Sequence, residues 1–341
     1  MFETIITERQ KNILTILAQN EVVHASVFSD LHISRATFSR EMKLLIAAQF
    51  VIREGKGGGV RYRKGDNFFL APIDIDRYFS TDQNNRYIAS DTAFFASVCH
   101  AFSEEEKAQH ERAAQDWHTR YTATSDTIKK KELERITIEL SWKSSQIEGN
   151  TYTLLDTERL IKESVEAHNH SREEAIMILN HKRAFTYLYE HTAYYKTLTK
   201  KNIHELHALL IDGLNVPTGI RSGRVGIVGT NYTPYDNRLQ LEAAFDALIA
   251  EINAAASPID KAFCALVGIS YLQLFEDGNK RLSRMLANAI LFAHNFPPMS
   301  FRSIDEVEYK KALIIAYEAK NVFPMKMLFL EQLEHAAHDY F

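Results

Sequence analysis

Apolar residues recur at three- and four-residue spacing along most of the chain, and the stretches that break this rhythm are short and glycine-rich. Residues 8–19 (ERQKNILTILAQ) place Ile13, Leu14, Ile16 and Leu17 on one helical face, and a second short amphipathic run, roughly 23–31, follows a break at Asn20-Glu21. A third helix begins behind Ser34, a credible N-cap, with Phe38, Met42, Leu45 and Ile46 as its buried stripe. Two β-like runs, FVIRE and VRYRK, are joined by Gly55-Lys56-Gly57-Gly58-Gly59. Residues 1–66 thus read as three helices and a hairpin, and residues 67–130 as a polar helical connector. From 131 the helical pattern strengthens, with a helix near 136–149 that stops at Gly149-Asn150. Helices follow over 171–195 and 198–214, a small hairpin over PTGIRSGRVGIVGTNYTPYDN, and helices over 239–254, 259–274, 280–294 and 303–338. The fold class expected is mainly α, with one small β-hairpin in the body.

Charge adds a distinction between the two ends. Residues 1–65 hold ten Lys and Arg against six Asp and Glu, whereas the chain as a whole carries a net charge of −4. The order of elements in this basic opening resembles a winged helix-turn-helix, with 34–48 as recognition helix and 50–64 as wing. That resemblance implies DNA as a partner, contacted by Arg35, Thr37, Arg40, Lys43, Arg61 and Arg63, because phosphate neutralisation needs such a surplus.

At 341 residues the chain can form two or three compact units. Cys99 and Cys264 match no metal-ligand spacing and fit a reducing cytoplasm rather than a disulfide scaffold. The opening MFETIITERQKN lacks a basic segment followed by an apolar block, and no apolar run approaches the roughly 20 residues that span a bilayer, so a soluble, cytoplasmic protein without a membrane partner is expected. His100, His110 and His118 have no consistent ligand spacing and read as surface or packing residues.

The candidate chemistry lies in Gln273-Leu274-Phe275-Glu276-Asp277-Gly278-Asn279-Lys280-Arg281-Leu282-Ser283-Arg284. Gly278-Asn279 is a turn dipeptide, and Leu282, Met285, Leu286, Ala289 and Ile290 recur at helical spacing behind it, so a loop opens a helix here. Free N–H groups at a helix start, together with Lys280, Arg281 and Arg284, make an anion site. Asp277 beside it is a candidate ligand for Mg²⁺, which keeps several waters and bridges to phosphates. Upstream, Ser144 and Glu148 share a helical face. Glu148 stands in the last turn, at the negative end of the helix dipole, a place that asks for a cationic partner.

The string QLFEDGNKRLSR resembles the signature of the Fic (Fido) family, H-x-F-x-D/E-G-N-G/K-R-x-x-R, at every fixed position but the first. SSQIEG is similar to the family's inhibitory motif, S/T-x-x-x-E-G/N, and Gly219–Pro234 to its substrate-positioning flap. The resemblance covers roughly 131–335 and implies a Fic-type helical core over 131–341, ATP and Mg²⁺ as cofactors, and AMP transfer to a hydroxyl of a target protein seated at the flap. By position, Phe275 anchors the loop and Asp277 holds Mg²⁺. Gly278, Asn279 and Lys280 form the anion nest, Arg281 contacts phosphate, and Arg284 takes the γ-phosphate unless Glu148 pairs with it. Two departures matter. Gln273 stands where the family has its general base, and a carboxamide has no pKa near working pH. Lys280 replaces the commoner glycine, a form found in the branch some of whose members move a phosphoryl group. His207 and His204 are candidate substitute bases. The reading that follows is a nucleotide-sensing, DNA-binding regulator with weak or absent transferase activity. The alternative is an active adenylyltransferase or phosphotransferase autoinhibited through Glu148. A homodimer is one assembly the sequence allows.

Overall fold

The computed structural model describes residues 6–89 and 94–341. Residues 1–5, part of the stretch read for a leader, and 90–93, where the polar part of the connector starts, lie outside the described residues. The chain divides into two compact units, residues 1–94 with 226–233 and 310–327, and residues 95–225 with 234–309 and 328–341.

In the first unit, α1 (Glu8–Ala18) is opened by a Thr7–Gln10 capping box and α2 (Arg35–Ala47) by Ser34, whose Oγ accepts from the Thr37 amide at 3.1 Å. Strands β1 (Val22–His24), β2 (Val51–Glu54) and β3 (Arg61–Lys64) form an antiparallel sheet in the order β1-β3-β2. The amphipathic run over 23–31 is therefore not a helix from its start: Val22–His24 pairs with β3, and only Ala25–Leu31 coils, as a 3₁₀ segment. A strand partner some forty residues downstream wins over the local period because Val23, opposite Tyr62, enters the core. That core gathers Ile13, Leu14, Leu17, Phe28, Met42, Leu45 and Val51, and it also buries Ile315 and Ala319. A short helix, α3 (Ile75–Ser80), brings Tyr78 to donate to the buried Glu318 carboxylate at 2.8 Å. Arg86 pairs with the same carboxylate at 3.3 Å and donates to the Gly229 carbonyl, while Gln83 and Asn231 exchange hydrogen bonds of 3.1 Å.

The remaining helices are α4 (Phe94–Val98), α5 (Glu104–Ala123), α6 (Asp126–Ile147), α7 (Leu154–Glu163), α8 (Arg172–Glu190), α9 (Lys200–Ile211), α10 (Arg238–Ala254), α11 (Pro258–Leu272), α12 (Asn279–Ala293), α13 (Glu306–Ala319) and α14 (Phe323–Asp339). The mainly helical class expected from the periodicity is what the chain adopts. In the second unit α11 and α12 pack against each other along their length, and both are buried on nearly every face, as central helices are. The loop between them is consequently held at both ends.

Two expectations are corrected. The hairpin over 219–235 contains no strand pair; Gly219, Gly223, Gly226, Gly229 and Pro234 interrupt the ladder, and the backbone is held instead by side chains. Cys99 and Cys264 form a disulfide across 165 residues of sequence, within the second unit. Sequence spacing carries no information about so distant a pairing. No helix among the described residues is long and apolar enough to cross a membrane.

Candidate functional site

The loop after α11 is shaped by two left-handed residues. Gln273 caps α11 at φ 49°, and Gly278 opens α12 at φ 82°, where a Cβ would come within 3.1 Å of Ile211 and 3.3 Å of His207. Between them Phe275 is fully buried, stacked on the His207 ring with centroids 3.7 Å apart. Asn279 closes the loop, its Oδ1 accepting from the Phe275 amide at 2.9 Å and its Nδ2 donating to the Phe275 carbonyl at 2.8 Å. A helix start leaves its first amides without intrahelical acceptors, the general condition for an anion site.

The cations are placed with the same economy. Arg281 donates to Asp277 Oδ2 at 2.7 Å, while Asp277 Oδ1 accepts from the Gly278 amide at 2.6 Å. Arg284, with no exposed surface, is bound to the end of α6 by three bonds. Its Nε donates to Ser144 Oγ at 2.9 Å, and its Nη2 donates to the Ser144 carbonyl and to Glu148 Oε1, both at 2.8 Å. Lys280 Nζ lies 2.7 Å from Glu148 Oε2. Burial pushes the Glu148 carboxyl up, but Arg284 and Lys280 overcome it and hold the group at about 2. The cation that the dipole argument asked for is thus present twice, and the carboxylate stays ionised at neutral pH.

His181, on α8, completes the lock, and sequence reasoning missed it. Its Nδ1–H donates to the Met177 carbonyl at 2.9 Å, so Nε2 must accept, and the Ser144 hydroxyl, 2.8 Å away, donates to it. The Ser144 oxygen is then oriented to receive Arg284 Nε–H. A polar residue three positions after Ile178 and three before Ala184, on a buried stripe, was the available signal. Arg221 was also missed as a brace: it donates to the carbonyls of Gln273 (2.5 Å), Gly223 and Tyr235 (2.6 Å each).

Gln273 turns its side-chain amide back to donate to the Ser270 carbonyl at 2.6 Å. His207 donates Nε2–H to the Asp277 carbonyl at 2.9 Å, and burial lowers it to about 4, so this ring is a packing and positioning group rather than a base. Burial likewise pushes His181 down to about 3. Both histidines are neutral in the fold and protonate near 6.5 once unfolded, so the unfolded chain binds more protons below that pH and stability falls as pH drops. We expect urea midpoints measured from pH 7 to 4.5 to decline below pH 6.5, with each histidine contributing up to about 1.4 kcal/mol per pH unit. His181→Gln should remove one such share of the slope.

In the first unit, Arg35, Arg40 and Lys43 are exposed on α2, whereas Thr37 is half-buried with its hydroxyl 2.9 Å from Ser34 Oγ. Arg61 and Arg63 both bind Glu54, at 2.9 and 2.7 Å, so one carboxylate offsets part of the wing's charge.

Residues 197–291 match the model of the Fic/DOC family. Curated relatives include the protein adenylyltransferases Fic of Drosophila willistoni, 27% identical over 50% of this chain and 35% of that protein, and of Nematostella vectensis, 28% identical over 50% and 41%. The match therefore spans well under half the length of these relatives. Among solved structures, Fic-1 of C. elegans superposes with a TM-score of 0.58 at 18% identity, over 68% of this chain and 71% of that one. A Fic domain containing signaling protein of Bacteroides thetaiotaomicron gives 0.55 at 20% identity, over 67% and 95%.

Proposed function

We propose, from the premise that the chain carries a domain of the Fic/DOC family, that this domain senses a nucleotide: it binds ATP with Mg²⁺ at the start of α12, is closed by Glu148, and transfers little or nothing. One contrast carries the reading. The binding end of the loop, from Asn279 to Arg284, is braced residue by residue, while at the chemical end Gln273 cannot titrate and its amide is spent on Ser270. Asp277 fits as the one protein carboxylate on a largely hydrated Mg²⁺, since its side chain is 62% exposed and each oxygen has one donor. Bound there, the ion would offset phosphate charge. The first unit is read as a winged helix that contacts DNA with Arg35, Arg40 and Lys43 and with the wing arginines, supported by the exposed cations of α2. A working adenylyl- or phosphotransferase acting in the cytoplasm on a protein docked at Gly219–Pro234 is the second reading, favoured by the completeness of the Asp277–Arg284 cradle.

Calorimetry with ATP and Mg²⁺ tests the first reading. Glu148→Gly should bind about ten- to a hundredfold more tightly than the unaltered protein, the range expected for losing a charged hydrogen-bonded competitor. In the same protein, affinity for DNA should change with ATP and fall steeply with salt. No ATP binding by Glu148→Gly sinks the nucleotide reading; affinity for DNA that ignores both ATP and salt sinks the regulatory one.

A further inference from the structure

Glu148 spans two cations, one on each carboxylate oxygen, Arg284 at 2.8 Å and Lys280 at 2.7 Å. Its side chain is 14% exposed, that of Arg284 not at all and that of Lys280 29%, so the three groups meet largely out of water. The neighbouring Arg281 is already paired with Asp277 at 2.7 Å and leaves this local balance unchanged. His181 and the phenol of Tyr309, whose ring lies under Arg284, are neutral. One negative group is therefore set against two positive ones at the dipole-positive start of α12. When the carboxylate leaves, two like charges that shared it face the same space, and uncompensated charges in such a setting are strongly unfavourable. Only an anion able to engage both can replace it.

We infer that Lys280 has two opposed roles: it is a second latch on Glu148 while the site is closed, and a second phosphate ligand once Glu148 is displaced, so that the site favours the polyphosphate chain of a nucleotide. This rests on the nucleotide-site reading above, and it assigns to one side chain both resistance to the ligand and affinity for it. The size of the effect of its removal must then depend on Glu148. In the unaltered protein, Lys280→Ala frees one oxygen of the gate and removes a ligand contact together, so the two effects offset and ATP binding should change little. In Glu148→Gly protein the same change removes only a ligand contact and should weaken ATP binding, by about tenfold, the size of one charge-assisted hydrogen bond. Lys280→Arg should restore the unaltered behaviour in both backgrounds.

The experiment is a calorimetric cycle with Mg-ATP on the full chain, the two single variants and the double variant, accompanied by hydrogen exchange at amides 145–150 without nucleotide. A loss of affinity several-fold smaller in the unaltered background than in Glu148→Gly, or a gain there, with faster exchange in Lys280→Ala, supports the proposal. An equal loss in both backgrounds overturns it. If no variant binds ATP, the nucleotide reading fails and exchange alone decides the latch: unchanged protection at 145–150 in Lys280→Ala overturns that too.

Discussion

Protein carrying Glu148→Gly and Gln273→His together should transfer label from α-labelled ATP to protein hydroxyls about 10²- to 10⁴-fold faster than protein carrying Glu148→Gly alone. That range is what a positioned general base contributes, and on the proposed reading Gln273 stands where that base would act without being able to titrate. The exchange is mild for the backbone. Gln273 sits at φ 49°, a region that histidine also tolerates, and its carbonyl and the Leu274 carbonyl are held by Arg221 whatever side chain is present. ATP affinity should change little, since Asn279, Arg281 and Arg284 keep their partners. Running the assay with α- and γ-labelled ATP in a cell lysate separates AMP transfer from phosphoryl transfer. Vigorous labelling by Glu148→Gly alone, with no gain from the histidine, would mean that another group acts as base and that the domain is a working transferase.

Arg284→Ala should lower stability by about 3–5 kcal/mol and the melting temperature by roughly 10 °C, because it removes one partner of a buried ion pair, leaving Glu148 with Lys280 alone and Ser144 without the donor to its oxygens. The burial of Arg284 raises the stakes: a guanidinium with no exposed surface is tolerable only while these bonds exist. Adding Glu148→Gly to Arg284→Ala should cost less than the sum of the two, since the second change removes the carboxylate that the first had left half-paired. Thermal melts of the four proteins give the answer. A single-variant melt within a degree of the unaltered protein would show that the pair does not anchor α6 to α12.

Local chemistry explains which features could be foreseen. Ser34 as a cap, the stripe Phe38–Met42–Leu45, and the loop opening at Gly278-Asn279 follow from residues within a few positions of one another, and they stand where the spacing put them. Glu148 was visible as an electrostatic misfit, and its two cations, 132 and 136 positions downstream, were visible only as members of an anion site. Features created by distant partners were opaque. Val22–His24 becomes a strand because β3 returns to it, and Cys99 meets Cys264 through packing. His181 belongs to the same class, since a histidine on an apolar stripe declares a buried partner without naming it. At Gln273 the residue alone ruled out a titrating base, whereas the amide's commitment to the Ser270 carbonyl needed the fold.

The first unit is assembled from three stretches of chain, and this bears on how the protein can be cut, fused or recombined. Exchange of modules at a single junction works when everything a module needs lies on one side of it. Here the Asn321 side chain donates to the carbonyls of Phe68 and Ala71 at 2.8 Å each, Glu318 receives Tyr78, and Gly229 receives Arg86. A graft ending at residue 94 would separate these donors from their acceptors, and one ending at 66 or at 94 would strip cover from Ile315 and Ala319. Sequence drift in the amino-terminal stretch is consequently answerable to residues more than two hundred positions away, and a chimaera that ignores them inherits an exposed apolar helix face and a stranded carboxylate.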